Sequence, residues 1–245
     1  MVVPAYNEER LLQATLDGIP DYVDRVFVID DDSTDATAEI AGRHPDSRLH
    51  VTRHETNRGV GASILTGYLL AQAENIDITV VMAGDNQMDP ARLPELLDPV
   101  ADEQADYTVG DRLSNPGFRS GMTRWRLTGN LILSFLTRIA TGCPNIHDSQ
   151  NGYTALSLRA MERIDLRAMY PRYGYLNDLL TRLSVAGLNI VSVAIPARYG
   201  TEKSKIRYTN YIPKVSLLML RLFLWRMKAK WSGKTRKRPN RPAST

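Results

Sequence analysis

Short β-branched runs alternate with longer segments of helical period through the first hundred residues. Residues 2–3, 25–29, 49–53, 79–82 and 107–109 predict strands, and residues 8–16, 34–42, 59–73 and 91–100 predict helices between them. That alternation implies an α/β fold with a mainly parallel central sheet. Each predicted strand runs into a loop rich in Asp, Asn or Gly, and open parallel sheets hold their ligands at this carboxyl edge. The first strand begins almost at residue 1, so a start further upstream, or a misassigned start codon, is expected. After Asp111 the rhythm changes. A Gly/Pro/Ser-rich stretch at 114–121 leads into a predicted helix at 123–141 and a polar segment at 147–153. A further helix is predicted at 175–186, and residues 189–195 alternate like a half-buried strand that Pro196 stops. Residues 211–231 are apolar with interspersed cations, and 232–245 read as a disordered basic end.

Composition narrows the class. With 43% apolar and 24% charged residues, the chain is neither collagen, nor a disordered tail, nor a disulfide scaffold. Its single cysteine, Cys143, cannot pair within the chain, so a core must supply the stability, and a reducing compartment fits. The start MVVPAYNEER lacks the zones of a secretory signal, and no uncharged apolar run approaches the roughly 20 residues a spanning helix needs. The net charge of +4 conceals an asymmetry. Nine of the 31 Lys/Arg and none of the 27 Asp/Glu lie in residues 221–245, which leaves 22 basic against 27 acidic residues in a body of net −5.

Candidate chemistry sits in the loops. Asp30, Asp31, Asp32 and Asp35 place four carboxylates in six residues at a strand end, where helix capping accounts for one or two and ribose or base recognition suits the rest. Asp85 and Gln87, two apart after another apolar strand, would present two oxygens to one side and suit Mg²⁺ or Mn²⁺. Asp89 with Pro90 reads as a cap and first turn. The turn at Asn57, Gly59 and Gly61 leads into a helix, where glycines either let backbone N–H groups approach an anion or serve packing. No complete dinucleotide fingerprint or P-loop is present, which argues against a dehydrogenase or an NTPase.

Taken in order, Pro4 to Glu9, Asp30 to Asp35, Asn57 to Gly61, Gly84 to Pro90 and Asp148 to Tyr153 resemble the family 2 glycosyltransferases of GT-A fold, a Rossmann-like arrangement. The similarity is greatest to the polyprenol-phosphate (dolichol-phosphate) mannose and glucose synthases, and it runs from residue 2 to about residue 206. The resemblance implies that Pro4, Ala5, Tyr6 and Glu8 line the base and ribose pocket with Asp31, and that Asp85 and Gln87 hold the metal against the donor diphosphate. It implies that Asp148 and Gln150 sit at the junction of donor sugar and acceptor, that Arg112 reaches the acceptor phosphate, and that Arg198, Ser204 and Lys205 contact phosphates. Two positions depart from the family pattern: Ala83 stands where the first carboxylate of Asp-x-Asp is usual, and Val60 where a basic residue is common.

The reaction implied is metal-dependent, inverting transfer of mannose or glucose from GDP-mannose or UDP-glucose to polyprenol phosphate. A phosphate acceptor is already anionic, so no strong general base is required; His147 is read as a loop residue, and Asp178 either orients the acceptor or starts a helix. The alternatives are transfer to a soluble or glycan acceptor and a catalytically weak sugar-nucleotide-binding or membrane scaffold protein. In residues 211–231, Lys214, Arg221 and Lys228 fall on one helical face with Trp225 and Trp231 as anchors, which predicts a helix lying on an anionic membrane surface rather than docking on the domain or touching nucleic acid. The 123–141 helix, with Trp125, Leu127, Ile132, Phe135 and Leu136, is either a second interfacial element or core. The expected layout is a transferase domain at 1–206, divided at 110 into nucleotide-sugar and acceptor halves, then a surface helix at 207–231 and a basic tail at 232–245. A peripheral place on the cytoplasmic membrane face follows.

Overall fold

The computed structural model describes residues 1–119, 124–196, 198 and 208–232. Ser204, Lys205, the tail from 233 and the Trp125 side chain lie outside the described residues. Seven strands, β1 (Val2–Ala5), β2 (Val26–Asp30), β3 (Leu49–Arg53), β4 (Ile78–Val81), β5 (Tyr107–Asp111), β6 (Thr154–Ser157) and β7 (Ile190–Ala194), form one sheet in the order β3-β2-β1-β4-β6-β5-β7. Only β6 runs against the others, antiparallel to β4 on one side and to β5 on the other. The mainly parallel α/β expectation therefore holds.

β1 and β2 are buried along their whole length, as strands covered on both faces must be. Val2, Phe27 and Ile29 point into a layer with Ile64 and Tyr68 of α3 (Val60–Ala73), where Gly67 admits the Val2 side chain: a Cβ there would lie 2.3 Å from it. Val3, Val26 and Val28 point the other way, onto Leu12 and Leu16 of α1 (Leu12–Asp17) and Leu93 and Leu96 of α4 (Leu93–Ala101).

Two expected helices start later than their periodicity suggests. Residues 8–11 form a turn before α1, and α2 (Thr37–Arg43) begins at Thr37 because Asp35 Oδ1 accepts from Thr37 N (3.0 Å) and Oγ1 (2.5 Å). β6 and the short α6 (Leu158–Arg163) have no counterpart in the sequence reading.

The long helices that follow β5 pack as a group. α5 (Arg124–Thr141) and α7 (Tyr175–Val185) carry α8 (Tyr208–Trp231), which buries Val215, Met219, Leu222, Arg226 and Ala229, spaced three and four apart. Arg226 donates to Ala140 O (2.9 Å) and Ile139 O (2.8 Å), a cation capping the end of α5. So α8 docks by one face, while Leu217, Leu220, Leu224, Trp225 and Trp231 stay exposed with Lys214, Arg221 and Lys228. Leu131, Ile132, Phe135, Leu136 and Ile139 are exposed on α5. Among the described residues, no helix is long and apolar enough to cross a membrane.

Candidate active site

A cavity of about 460 Å³ opens along the carboxyl edge of the sheet. Pro4, Ala5, Tyr6, Glu8 and Asp31 line it from β1 and β2, Asp85 from the loop after β4, Arg112 from the end of β5, and Gln150 from the loop before β6. Asn130 and Leu133 of α5 and Gly174 to Asn177 at the start of α7 complete the wall. A smaller cavity of about 150 Å³ adjoins it, sharing Asp85, Arg112 and Gln150 and adding Gln87 and Arg198. Of the expected site residues that are described, all but Asp148 line one of these cavities.

The acidic cluster divides its work. Asp30, wholly buried, pairs with Arg53 Nε at 3.3 Å and accepts from Ser33 N. Asp32 takes a left-handed backbone (φ 63°). Asp35, just ahead of α2, accepts from Thr37 N and Oγ1 and also from Glu9 N. Asp31 alone of the four lines the cavity, and its carboxylate is already engaged: it accepts from Arg58 N (2.9 Å) and Gly59 N (2.7 Å) and meets His54 Nδ1 at 2.7 Å. The sequence reading passed over Arg53 and His54, whose signal is only their place at the end of the neighbouring strand.

The glycine turn proves to be a packing device. Arg58 N and Gly59 N serve the Asp31 carboxylate, and Ala62 N serves Pro171 O at 2.8 Å, so these donors are taken by groups of the protein itself. Gly59 has φ +95°, and a Cβ there would lie 2.8 Å from Pro171 O. At Gly61 it would lie 2.4 Å from Tyr170 O. The 170–173 segment is thereby pressed onto the turn, bringing Arg172 and Tyr173 to the cavity wall. Burial raises the Tyr173 phenol pKa, and the Asp85 and Glu8 carboxylates add to the shift. Gly61→Ala is expected to destabilise the fold by about 1–3 kcal/mol, since backbone must move to admit the methyl. A denaturant melt with an unchanged midpoint would refute that contact.

Asp85 and Gln87 lie side by side, as their spacing requires: Gln87 N donates to Asp85 Oδ1 (3.2 Å) and Gln87 Nε2 to Asp85 Oδ2 (2.9 Å). One carboxylate with one amide oxygen beside it, on a cavity wall, fits a hard divalent cation that takes its other oxygens from a diphosphate and water. Among the described residues, no cluster of three His, Cys, Asp or Glu would bind a metal unaided. Asp89 caps the next turn, accepting from Ala91 N.

Asp148 stands apart from the other expected site residues. It is wholly buried and lines neither cavity. It accepts instead from Arg112 Nε (2.6 Å), Nη2 (3.1 Å) and backbone N (3.2 Å) and from Gln150 N (3.2 Å), holding the two cavity residues in register. Asp178 likewise turns away, accepting from Tyr170 N and Arg182 Nε, and His147 is an exposed loop residue.

A mainly parallel α/β sheet whose carboxyl edge gathers Asp31, Asp85 and Arg112 around one cavity has the plan of the GT-A fold. The chain belongs to glycosyl transferase family 2, whose model matches residues 1–165. It is 30% identical over 240 residues to the undecaprenyl-phosphate mannosyltransferase of Micrococcus luteus, covering 95% of each chain. It is 29% identical over 225 residues to the UDP-N-acetylglucosamine–dolichyl-phosphate N-acetylglucosaminyltransferase of Methanococcus voltae, covering 86% of this chain and 89% of that one. The fold is shared with glucosyl-3-phosphoglycerate synthase from Mycobacterium tuberculosis, solved with Mn²⁺, UDP and phosphoglyceric acid: TM-score 0.67, 22% identity, 92% of this chain and 76% of that one. The protein is a glycosyltransferase, close to the polyprenol-phosphate sugar synthases.

Proposed function

We propose that the protein transfers a hexose, with inversion, from a nucleoside-diphosphate sugar to polyprenol phosphate while resting on the cytoplasmic face of the membrane. One observation carries this reading: a single cavity joins the nucleotide-pocket residues and Asp85 to a wall built by α5, whose outer side is exposed and apolar. Pro4, Tyr6, Glu8 and Asp31 would hold the nucleoside, and Asp85 with Gln87 would hold Mg²⁺ or Mn²⁺. Bound there, the cation would neutralise the diphosphate as it leaves. Arg112, oriented by Asp148, would draw the acceptor phosphate towards the anomeric carbon, and Arg198 would border the diphosphate side. The acceptor oxygen is anionic at neutral pH and attacks without a general base. Ser204 and Lys205 are further phosphate contacts in this scheme, as the family resemblance implies.

Transfer assays with labelled GDP-mannose, UDP-glucose and UDP-N-acetylglucosamine test the reading directly. With Mg²⁺ or Mn²⁺ and a short polyprenol phosphate, label from one donor is expected in the organic phase. Label passing only to water-soluble acceptors would instead favour a soluble or glycan acceptor.

Membrane attachment is carried by the outer faces of α5 and α8. Of the 14 large exposed apolar side chains among the described residues, ten are on these two packed helices, which makes a patch rather than scatter. The cations Lys214, Arg221 and Lys228 border it, and a basic tail follows, as an anionic lipid surface would require. Because α8 also buries Val215, Met219 and Leu222, removing the helix would strip the core. Point changes are the sharper probe: Leu220→Glu with Leu224→Glu is expected to weaken sedimentation with anionic liposomes at least about tenfold and leave the melting temperature unchanged. Undiminished sedimentation would defeat the assignment.

A further inference from the structure

The first turn of α7 carries three hydrogen-bond donors that the described protein does not use. Tyr175 N donates to Arg172 O and Asp178 N to Gly174 O, leaving the N–H groups of Leu176 and Asn177 without partners among the described residues. The third donor is the Asn177 side-chain amide. Asn177 is 1% exposed, and its Oδ1 accepts from Thr137 Oγ1 of α5 at 2.9 Å. That bond occupies the amide oxygen and leaves Nδ2 with no protein partner among the described residues, in a side chain that lines the 460 Å³ cavity. Donors without protein partners are rare in a folded interior, so three of them on two residues that line one cavity call for an acceptor that enters from outside.

The surroundings favour an anion. The helix N-terminus contributes positive potential, and Arg112 lines the same cavity. Gly174 occupies the cap position with φ +109°, so no side chain competes for these donors, and a Cβ there would lie 2.8 Å from Leu218 of α8. Asp178, the acidic residue of this turn, is engaged with Tyr170 N and Arg182 rather than facing the cavity.

We propose that the α7 N-terminus and the Asn177 amide bind the acceptor's phosphate group. The position in the fold selects the acceptor over the donor. Asn177 rests on Thr137 of α5 and Gly174 on Leu218 of α8, the two helices with exposed apolar faces, whereas the nucleotide pocket and Asp85 lie on the strand ends. This assignment rests on the lipid-phosphate reading above.

Asn177→Asp tests it with little change of shape, because a carboxylate oxygen can still accept from Thr137 while the donor is replaced by a negative charge. The expected result is a rise of about tenfold or more in KM for polyprenol phosphate, with the donor's KM within about twofold of wild type. An unchanged acceptor KM, or a rise in the donor's KM instead, overturns the proposal. If wild type transfers to no polyprenol phosphate at all, the functional reading fails separately, and binding then decides the site. Calorimetric titration with geranyl phosphate should show binding that weakens about tenfold in Asn177→Asp; equal binding, or none by wild type, overturns the site. Should Asn177→Asp fail to fold, Thr137→Val, which releases the amide from its fixed orientation, is expected to raise the acceptor KM several-fold, and an unchanged value counts against the site.

Discussion

Asp85→Asn is expected to lower transfer about 10³-fold and to abolish the enhancement of donor binding by Mg²⁺ or Mn²⁺. The expectation follows from how few carboxylates are available at this position. Ala83 stands where a family carboxylate is usual, so Asp85 is the only acidic residue in its set with Gln87. Asp31 cannot substitute, because its oxygens are engaged by His54, Arg58 N and Gly59 N. A neutral amide of the same shape keeps a contact with Gln87 and leaves the fold intact, so a melting curve like that of wild type separates lost charge from lost structure. Donor titration by calorimetry, with and without the cation, and single-turnover transfer are the measurements. Activity within tenfold of wild type would show that Asp85 does not hold the cation.

The fold was legible where local pattern and tertiary role agree. β2 is an apolar run up to Asp30 and β4 is broken only by Thr79; β3 and β7 were recognised over their full length, β1 only at Val2 and Val3. β6 is buried in the middle of the sheet, yet its four residues Thr154 to Ser157 carry no apolar run, and its strand character comes from β4 and β5 on either side. In the site, residues that line the cavity directly were legible because loops at strand ends announce themselves. Roles set by distant partners were not. Nothing near Gly59 and Gly61 in the chain says that Tyr170 and Pro171 will press on them, and nothing near Asp148 says that Arg112, 36 residues earlier, will claim its carboxylate. The Asn177 amide became visible only when Thr137, 40 residues away, fixed its orientation.

The Arg112–Asp148 pair makes the second large prediction, and it separates stability from chemistry. Arg112→Ala leaves a wholly buried carboxylate without its counter-ion, a loss expected to destabilise the protein by about 3–5 kcal/mol and to remove transfer. The double variant Arg112→Met with Asp148→Leu removes both charges together. Because desolvating a buried pair offsets much of its attraction, this variant is expected to recover most of the lost stability, within about 2 kcal/mol of wild type. It should nevertheless remain inactive, since no cation then faces the acceptor phosphate from this wall. Chemical denaturation gives the stabilities, and organic-phase transfer gives the activities. A double variant as unstable as Arg112→Ala would mean that Asp148 contributes chiefly by accepting from the backbone N–H groups of Arg112 and Gln150, bonds that a leucine side chain cannot make. A stable double variant that still transfers sugar would remove Arg112 from the machinery and leave the acceptor phosphate to the α7 N-terminus.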